Sequence, residues 1–231
     1  MNQKNICFYE FGDRWENSLK GEENQNVAIE LDNKMVDQAI ILLSDGGIGS
    51  VTLEAVCVNS GYSMGLVLQH CGTETGLLIR VLNSLEMWLG EKCRVATEGK
   101  YGLEAINSLF LDAANDINKN KDKYRAYFGL KLYGLVSNQE LSQCLIESQK
   151  IREKELIKRL REALVLEQLS RNVDIEMLAD FIMAAMIGLV HKWMADPDFD
   201  IELRLNQFVK IHLKAMFTHA HLYYSVKYWG E

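Results

Sequence analysis

An all-α fold follows from three features of the 231-residue sequence. Its single proline, Pro197, leaves long stretches free of the residue most costly inside a helix. Apolar residues recur at helical spacing, as in Ala28, Leu31, Met35, Ala39, Leu42 and Leu43. Residues 47–78 read as two short helices about a tight turn and the start of a third, the helix-turn-helix plan.

Taken in order, residues 1–26 are polar and unpatterned and are expected as a leader. Lys4, Arg14 and Lys20 are too scattered there for a groove-binding basic arm. A helix is predicted over 27–44, stopped by Asp45-Gly46-Gly47. Thr52 suits the cap of the next helix, on which Leu53, Val56 and Cys57 share an apolar face. Asn59-Ser60-Gly61 supplies the break, and Ser63 can cap a second helix with Leu66, Val67 and His70 on one side. Thr73 can cap a helix over 74–97 carrying Leu77, Leu78, Val81, Leu85, Trp88 and Leu89. Further helices are predicted over 103–117, 122–136, 139–168, 174–196 and 201–228. The helix 174–196 is apolar nearly all round, so burial on every side is expected, and Ala184, Ala185 and Gly188 leave room for another helix. The expected division is an N-terminal three-helix helix-turn-helix domain over 27–98 and a C-terminal helical domain over 99–231.

The chain is 48% hydrophobic and 25% charged, the balance of an ordinary globular protein, with a net charge of −7. An acidic total does not exclude nucleic acid, because a local basic patch suffices. No such patch lies near the helix-turn-helix. Residues 44–79 hold no Lys or Arg, and 27–95 hold four basic residues against eight acidic ones. No apolar run approaches the ~20 residues that span a bilayer, so no membrane partner is expected and the reading is cytoplasmic. Five cysteines without metal-like spacing read as free thiols. There is no Gly-rich phosphate loop, nucleophile elbow or paired-Cys motif, so neither an enzyme nor a cofactor is expected. His212, His219 and His221 do not share one helix face, and no metal site is expected.

The order of Gly47, Thr52, Val56, Gly61, Ser63, Gly65, His70, Gly72 and Leu77-Leu78 resembles the DNA-binding segment of the tetracycline-repressor (TetR) family. The likeness is close over roughly 35–82 and holds beyond it only as a pattern. It implies a DNA-facing surface of Thr52, Tyr62, Ser63, Met64, Gly65, Leu68, His70 and Thr73. The positions that usually contact phosphate in that family hold Val51, Glu54, Met64, Leu66, Leu68 and Glu74 here. The resemblance also implies a homodimer on the last two helices, with Ala184, Ala185, Gly188, Phe208 and His212 at the interface. A cavity for a small hydrophobic effector is implied in the C-terminal helices. Its candidate lining is Trp88, Phe110, Tyr124, Tyr127, Phe128, Met177, Phe181 and His191, a set without a charged residue, which disfavours an anionic ligand. The expectation is a homodimeric, effector-responsive transcriptional regulator that binds duplex DNA weakly. The alternative is a TetR-like dimer that has lost DNA binding and serves as a ligand-binding or protein-interaction module.

Overall fold

The structure, a computed structural model, describes residues 22–169, 171–213 and 215. Nine α-helices occur in these residues: α1 Glu22–Gly46, α2 Leu53–Ser60, α3 Met64–Cys71, α4 Glu74–Thr97, α5 Gly102–Asp116, α6 Lys121–Ser137, α7 Gln139–Val165, α8 Ile175–Ala195 and α9 Ile201–Gln207. A 3-10 turn, Ile48–Ser50, follows α1, and a π-helical turn, Phe208–Leu213, follows α9. No strand occurs among the described residues, and the fold is all-α as expected. Helix α1 already begins at Glu22, inside the expected leader; the rest of that leader lies outside the described residues. So do His219, His221 and half of the helix expected to reach residue 228.

Two compact units divide the chain. The first holds the described residues through Trp88 together with Asp122–Glu147. Its core takes Met35, Ala39 and Leu43 from α1, Val56 from α2, Val67 from α3, and Leu77, Val81, Leu82 and Leu85 from α4. Helix α1 stops where Gly47 turns to a φ of 71°, and the Ser50 hydroxyl donates back to the Leu42 carbonyl at 2.6 Å. Arg80 on α4 closes onto Asp32 on α1 at 2.8 Å, with the arginine largely buried. Cys57, Cys71 and Cys93 carry free thiols, but Cys144 is disulfide-bonded, which corrects the expectation of free thiols throughout.

The second unit holds Leu89–Lys121 and the described residues from Ser148 onward. Here α5 packs against α9, and α9 against α8. Lys92, near the end of α4, grips Asp116 at the end of α5 at 2.6 Å. Tyr101 precedes α5 without capping it. The two first amides of α5 are met instead from a distance: Gly102 N–H donates to Glu162 Oε2 at 3.1 Å and Leu103 N–H to Gln168 Oε1 at 3.0 Å. Gly102 sits at a φ of 58°, and a Cβ there would collide with the Gln168 amide oxygen and crowd the Ala163 backbone.

Helix α8 buries Ile175, Ala179, Ile182, Val190 and Trp193. Met177, Phe181, Ala184, Ile187, Gly188 and His191 face outward and are exposed, while Ala185 is half-buried. Burial on every side was expected; within one chain the helix covers one face and leaves an apolar stripe on the other. The long final helix expected from Ile201 is interrupted in the same unit. After Gln207 the backbone widens to π geometry, and there Phe208 stacks on Phe110 with ring centroids 4.9 Å apart.

Gly102→Ala is predicted to destabilise the protein by about 2 kcal/mol, since it combines a left-handed backbone with a blocked Cβ. A thermal melt should show a Tm lowered by roughly 5 °C; an unchanged Tm would refute the distant capping of α5.

Candidate functional site

The helix-turn-helix is set by three hydroxyl caps and one left-handed glycine. Thr52 Oγ1 accepts from Ala55 N–H at 3.1 Å, Ser63 Oγ from Leu66 N–H at 3.3 Å, and Thr73 Oγ1 from Gly76 N–H at 3.0 Å. Gly61 ends α2 at a φ of 74° and turns the chain into α3. Gly76 lies so close beneath the end of α3 that a Cβ would strike the Cys71 carbonyl, which fixes the step from α3 to α4.

Of the eight residues expected to face DNA, Ser63, Gly65, Leu68 and Thr73 are exposed, and Thr52, Tyr62 and Met64 are half-buried. His70 is not on that surface. It is only 5% exposed, on the inner side of α3 with Val67 and Cys71. Burial lowers its pKa from the ordinary value, Asp32 pulls it back up, and Arg80 pushes it further down. One cation absent from the sequence expectation joins the head: the exposed Lys34 of α1 holds its ammonium 4.9 Å from the centroid of the Tyr62 ring. The Lys34 and Tyr62 positions are 28 residues apart in sequence, so no local pattern could pair them. The rest of the outer surface is apolar, neutral polar or acidic, with Val58 82% exposed and Glu54 and Glu74 beside the helix starts.

The eight expected effector-lining residues divide. In the first unit Trp88 meets Tyr124 edge-on at 5.2 Å, and Tyr127 meets Phe128 edge-on at 5.1 Å. The Tyr127 hydroxyl donates to Glu86 Oε1 at 3.0 Å. In the second unit Phe110 is engaged by Phe208. Met177, Phe181 and His191 lie on the exposed stripe of α8, which removes them from the interior wall where they were expected. Phe208 and His212 have ring centroids 5.4 Å apart, with Phe208 half-buried and His212 exposed.

Two lysines also reach these rings. Lys123 stands over Trp88 at 5.2 Å, and Lys131 over Tyr127 at 5.6 Å and Phe128 at 6.0 Å. Lys123, Tyr127 and Lys131 are spaced i, i+4, i+8 on one helix side, a signal present in the sequence but hidden because lysines ordinarily mark the solvent face.

Elsewhere the chemistry is quiet. Burial pushes the Cys71 and Cys93 thiols up to about 11, far from reactive thiolates. Among the described residues no group of three His, Cys, Asp or Glu is placed to hold a metal ion, and no helix is long and apolar enough to cross a membrane.

A capped helix-turn-helix followed by longer helices defines an all-α helix-turn-helix fold. No family model and no curated protein matches the sequence. Solved structures do match. The complex of triclosan with SmeT, the repressor of the Stenotrophomonas maltophilia multidrug efflux pump SmeDEF, aligns with a TM-score of 0.73 at 16% identity, over 87% of this chain and 98% of that one. A TetR transcriptional regulator from Chloroflexus aurantiacus aligns at 0.69 and 16% identity, over 82% and 95% of the two chains. FadR from Bacillus subtilis in complex with stearoyl-CoA aligns at 0.67 and 15% identity, over 78% and 96%. The chain has the fold of TetR-family transcriptional regulators.

The His70 environment makes a pH prediction. A histidine whose folded pKa is lowered stabilises the native state as the neutral form, and that stability is lost as pH falls below the unfolded value near ~6.5. Tm measured from pH 7.5 down to 5.0 should therefore drop more steeply for the wild type than for His70→Gln. Parallel curves would refute the assignment.

Proposed function

We propose that this chain is a homodimeric, TetR-like transcriptional regulator that responds to a small hydrophobic effector. The capped α2–turn–α3 unit carries the reading, because its second helix presents Gly65 and Leu68 outward and the space a Cβ would take at Gly65 is open. Residues 27–98 serve as the DNA-reading head and 99–231 as the effector and dimerisation part. The SmeT and FadR structures, with triclosan and stearoyl-CoA bound, support an effector of apolar character. No catalytic role is assigned, and a cytoplasmic setting suits a regulator.

Affinity for duplex DNA is set largely by phosphate neutralisation, and this head is poor in cations. Arg80 is committed to Asp32, and Lys34 sits over Tyr62. That observation favours a second reading, a TetR-like dimer without DNA binding that acts as a ligand-binding or protein-interaction module. Each phosphate contact contributes about −0.9 to the salt slope, so two or three contacts give a slope of only about −2 to −3. The wild type is predicted to bind duplex more weakly than ~10⁻⁸ M at physiological salt. Met64→Lys with Glu74→Lys should tighten binding to any sequence and steepen the slope by about 2 for each protomer, about 4 for the dimer. Nanomolar wild-type binding with a steep slope sinks the electrostatic argument. No wild-type binding at low salt selects the second reading.

The exposed stripe of α8 supports the dimer. Gly188 has open space where a side chain would project within one chain, so Gly188→Trp should leave the protomer folded and block its pairing. Light scattering is predicted to give about twice 26.4 kDa for the wild type and about 26.4 kDa for the variant. A monomeric wild type at micromolar concentration contradicts the proposal.

A further inference from the structure

Lys131 is the most anomalous charged group in the first unit. Its side chain is only 9% exposed, at the middle of the buried face of α6 between Tyr127 and Leu130 on one side and Gly134 on the other. It makes no ion pair and no hydrogen bond with a described residue. Its contacts are the Tyr127 and Phe128 rings at 5.6 and 6.0 Å, near the outer limit at which a ring face attracts a cation. Most of the residue has left water, and its ammonium has gained no counter-ion among the described residues. Burial accordingly lowers its pKa from the usual lysine value.

The surroundings are aromatic. Tyr127 and Phe128 form an edge-on pair beside the lysine, and Trp88 and Tyr124 form a second edge-on pair that includes the same helix, α6. Trp88 and Phe128 are only half-buried, so the cluster reaches the surface. Lys123 adds a second cation over the opposite end of the ring set, at Trp88. Glu86 belongs to the same neighbourhood, with its Oε1 held by the Tyr127 hydroxyl.

We propose that this cluster binds an apolar monocarboxylate, with the carboxylate on the Lys131 ammonium and the apolar body against the four rings. The inference rests on the effector reading above and names its chemistry. It reverses the expectation of an uncharged ligand. A carboxylate supplies both the counter-charge and the charge-assisted hydrogen bond that no described residue gives Lys131. The rings supply the contact area that makes such a ligand prefer the site to water.

The test uses the full-length protein and two matched pairs of probes, 1-naphthoate with 1-naphthalenemethanol and dodecanoate with dodecanol. Calorimetric titration is expected to show at least tenfold tighter binding of a carboxylate than of its alcohol. Lys131→Met should abolish that preference and Lys131→Arg should retain most of it. Without ligand, Lys131→Met is expected to keep or raise Tm, since it removes a buried charge that lacks a counter-ion. Equal binding of carboxylate and alcohol, unchanged in Lys131→Met, overturns the assignment of Lys131 while leaving a hydrophobic effector in place. Binding of none of the four overturns both. A clear drop in Tm for ligand-free Lys131→Met makes the lysine structural and likewise overturns the proposal.

Discussion

A chain this helical depends above all on how its helix starts are satisfied. Each helix leaves its first amides without intrahelical partners, and the nine α-helices among the described residues multiply that demand. The sequence meets it mostly with short polar residues one position ahead of the helix. Thr52, Ser63, Thr73, Asn138, Asp174 and Asp200 all accept an amide two or three residues into the helix that follows. Helix α5 is met differently: there Glu162 and Gln168 reach back 60 and 65 residues of chain to do the same work. The tight turns of the head and the placing of α5 on α7 both rest on these bonds.

The same bonds shape what the head offers a nucleic acid. The cap oxygens of Thr52, Ser63 and Thr73 are already accepting amides, yet each O–H proton remains available for a phosphate. Neutral donors of this kind position a duplex without neutralising it, so they contribute contacts and little counterion release. As the proposed DNA-reading head, this surface would hold a duplex through neutral donors and few cations.

Local signals made most of the architecture legible. Thr52 and Ser63 announced the starts of α2 and α3 and Gly61 the turn between them, while α2 runs on through Asn59 and Ser60; α4 matched its expected 74–97, with Thr73 marking its start. Long-range contacts were not legible. His70 follows the apolar spacing of its helix, but its helical register alone does not tell an inward histidine from one in a groove. Lys131 carries a residue type that nearly always faces water, and only tertiary packing sets it among rings. Lys34 and Tyr62 meet across the head for the same reason. Helix α8 misled in the opposite sense: apolar residues on every side say that burial is needed, and they do not say whether the cover comes from the same chain.

The exposed stripe on α8 has a geometric consequence of its own. Met177, Phe181, Ala184, Gly188 and His191 step along the helix by four, three, four and three residues, a mean of 3.5. A straight helix turns every 3.6 residues, so the stripe slants by about 20° for each seven residues. Two copies can keep such stripes in register only by crossing with left-handed inclination, at roughly 20°. The smallest side chains, Ala184 and Gly188, fall at the middle of the stripe and the bulkier Phe181 and His191 toward its ends. The handedness and the point of closest approach of any such pair are thus already written into one helix.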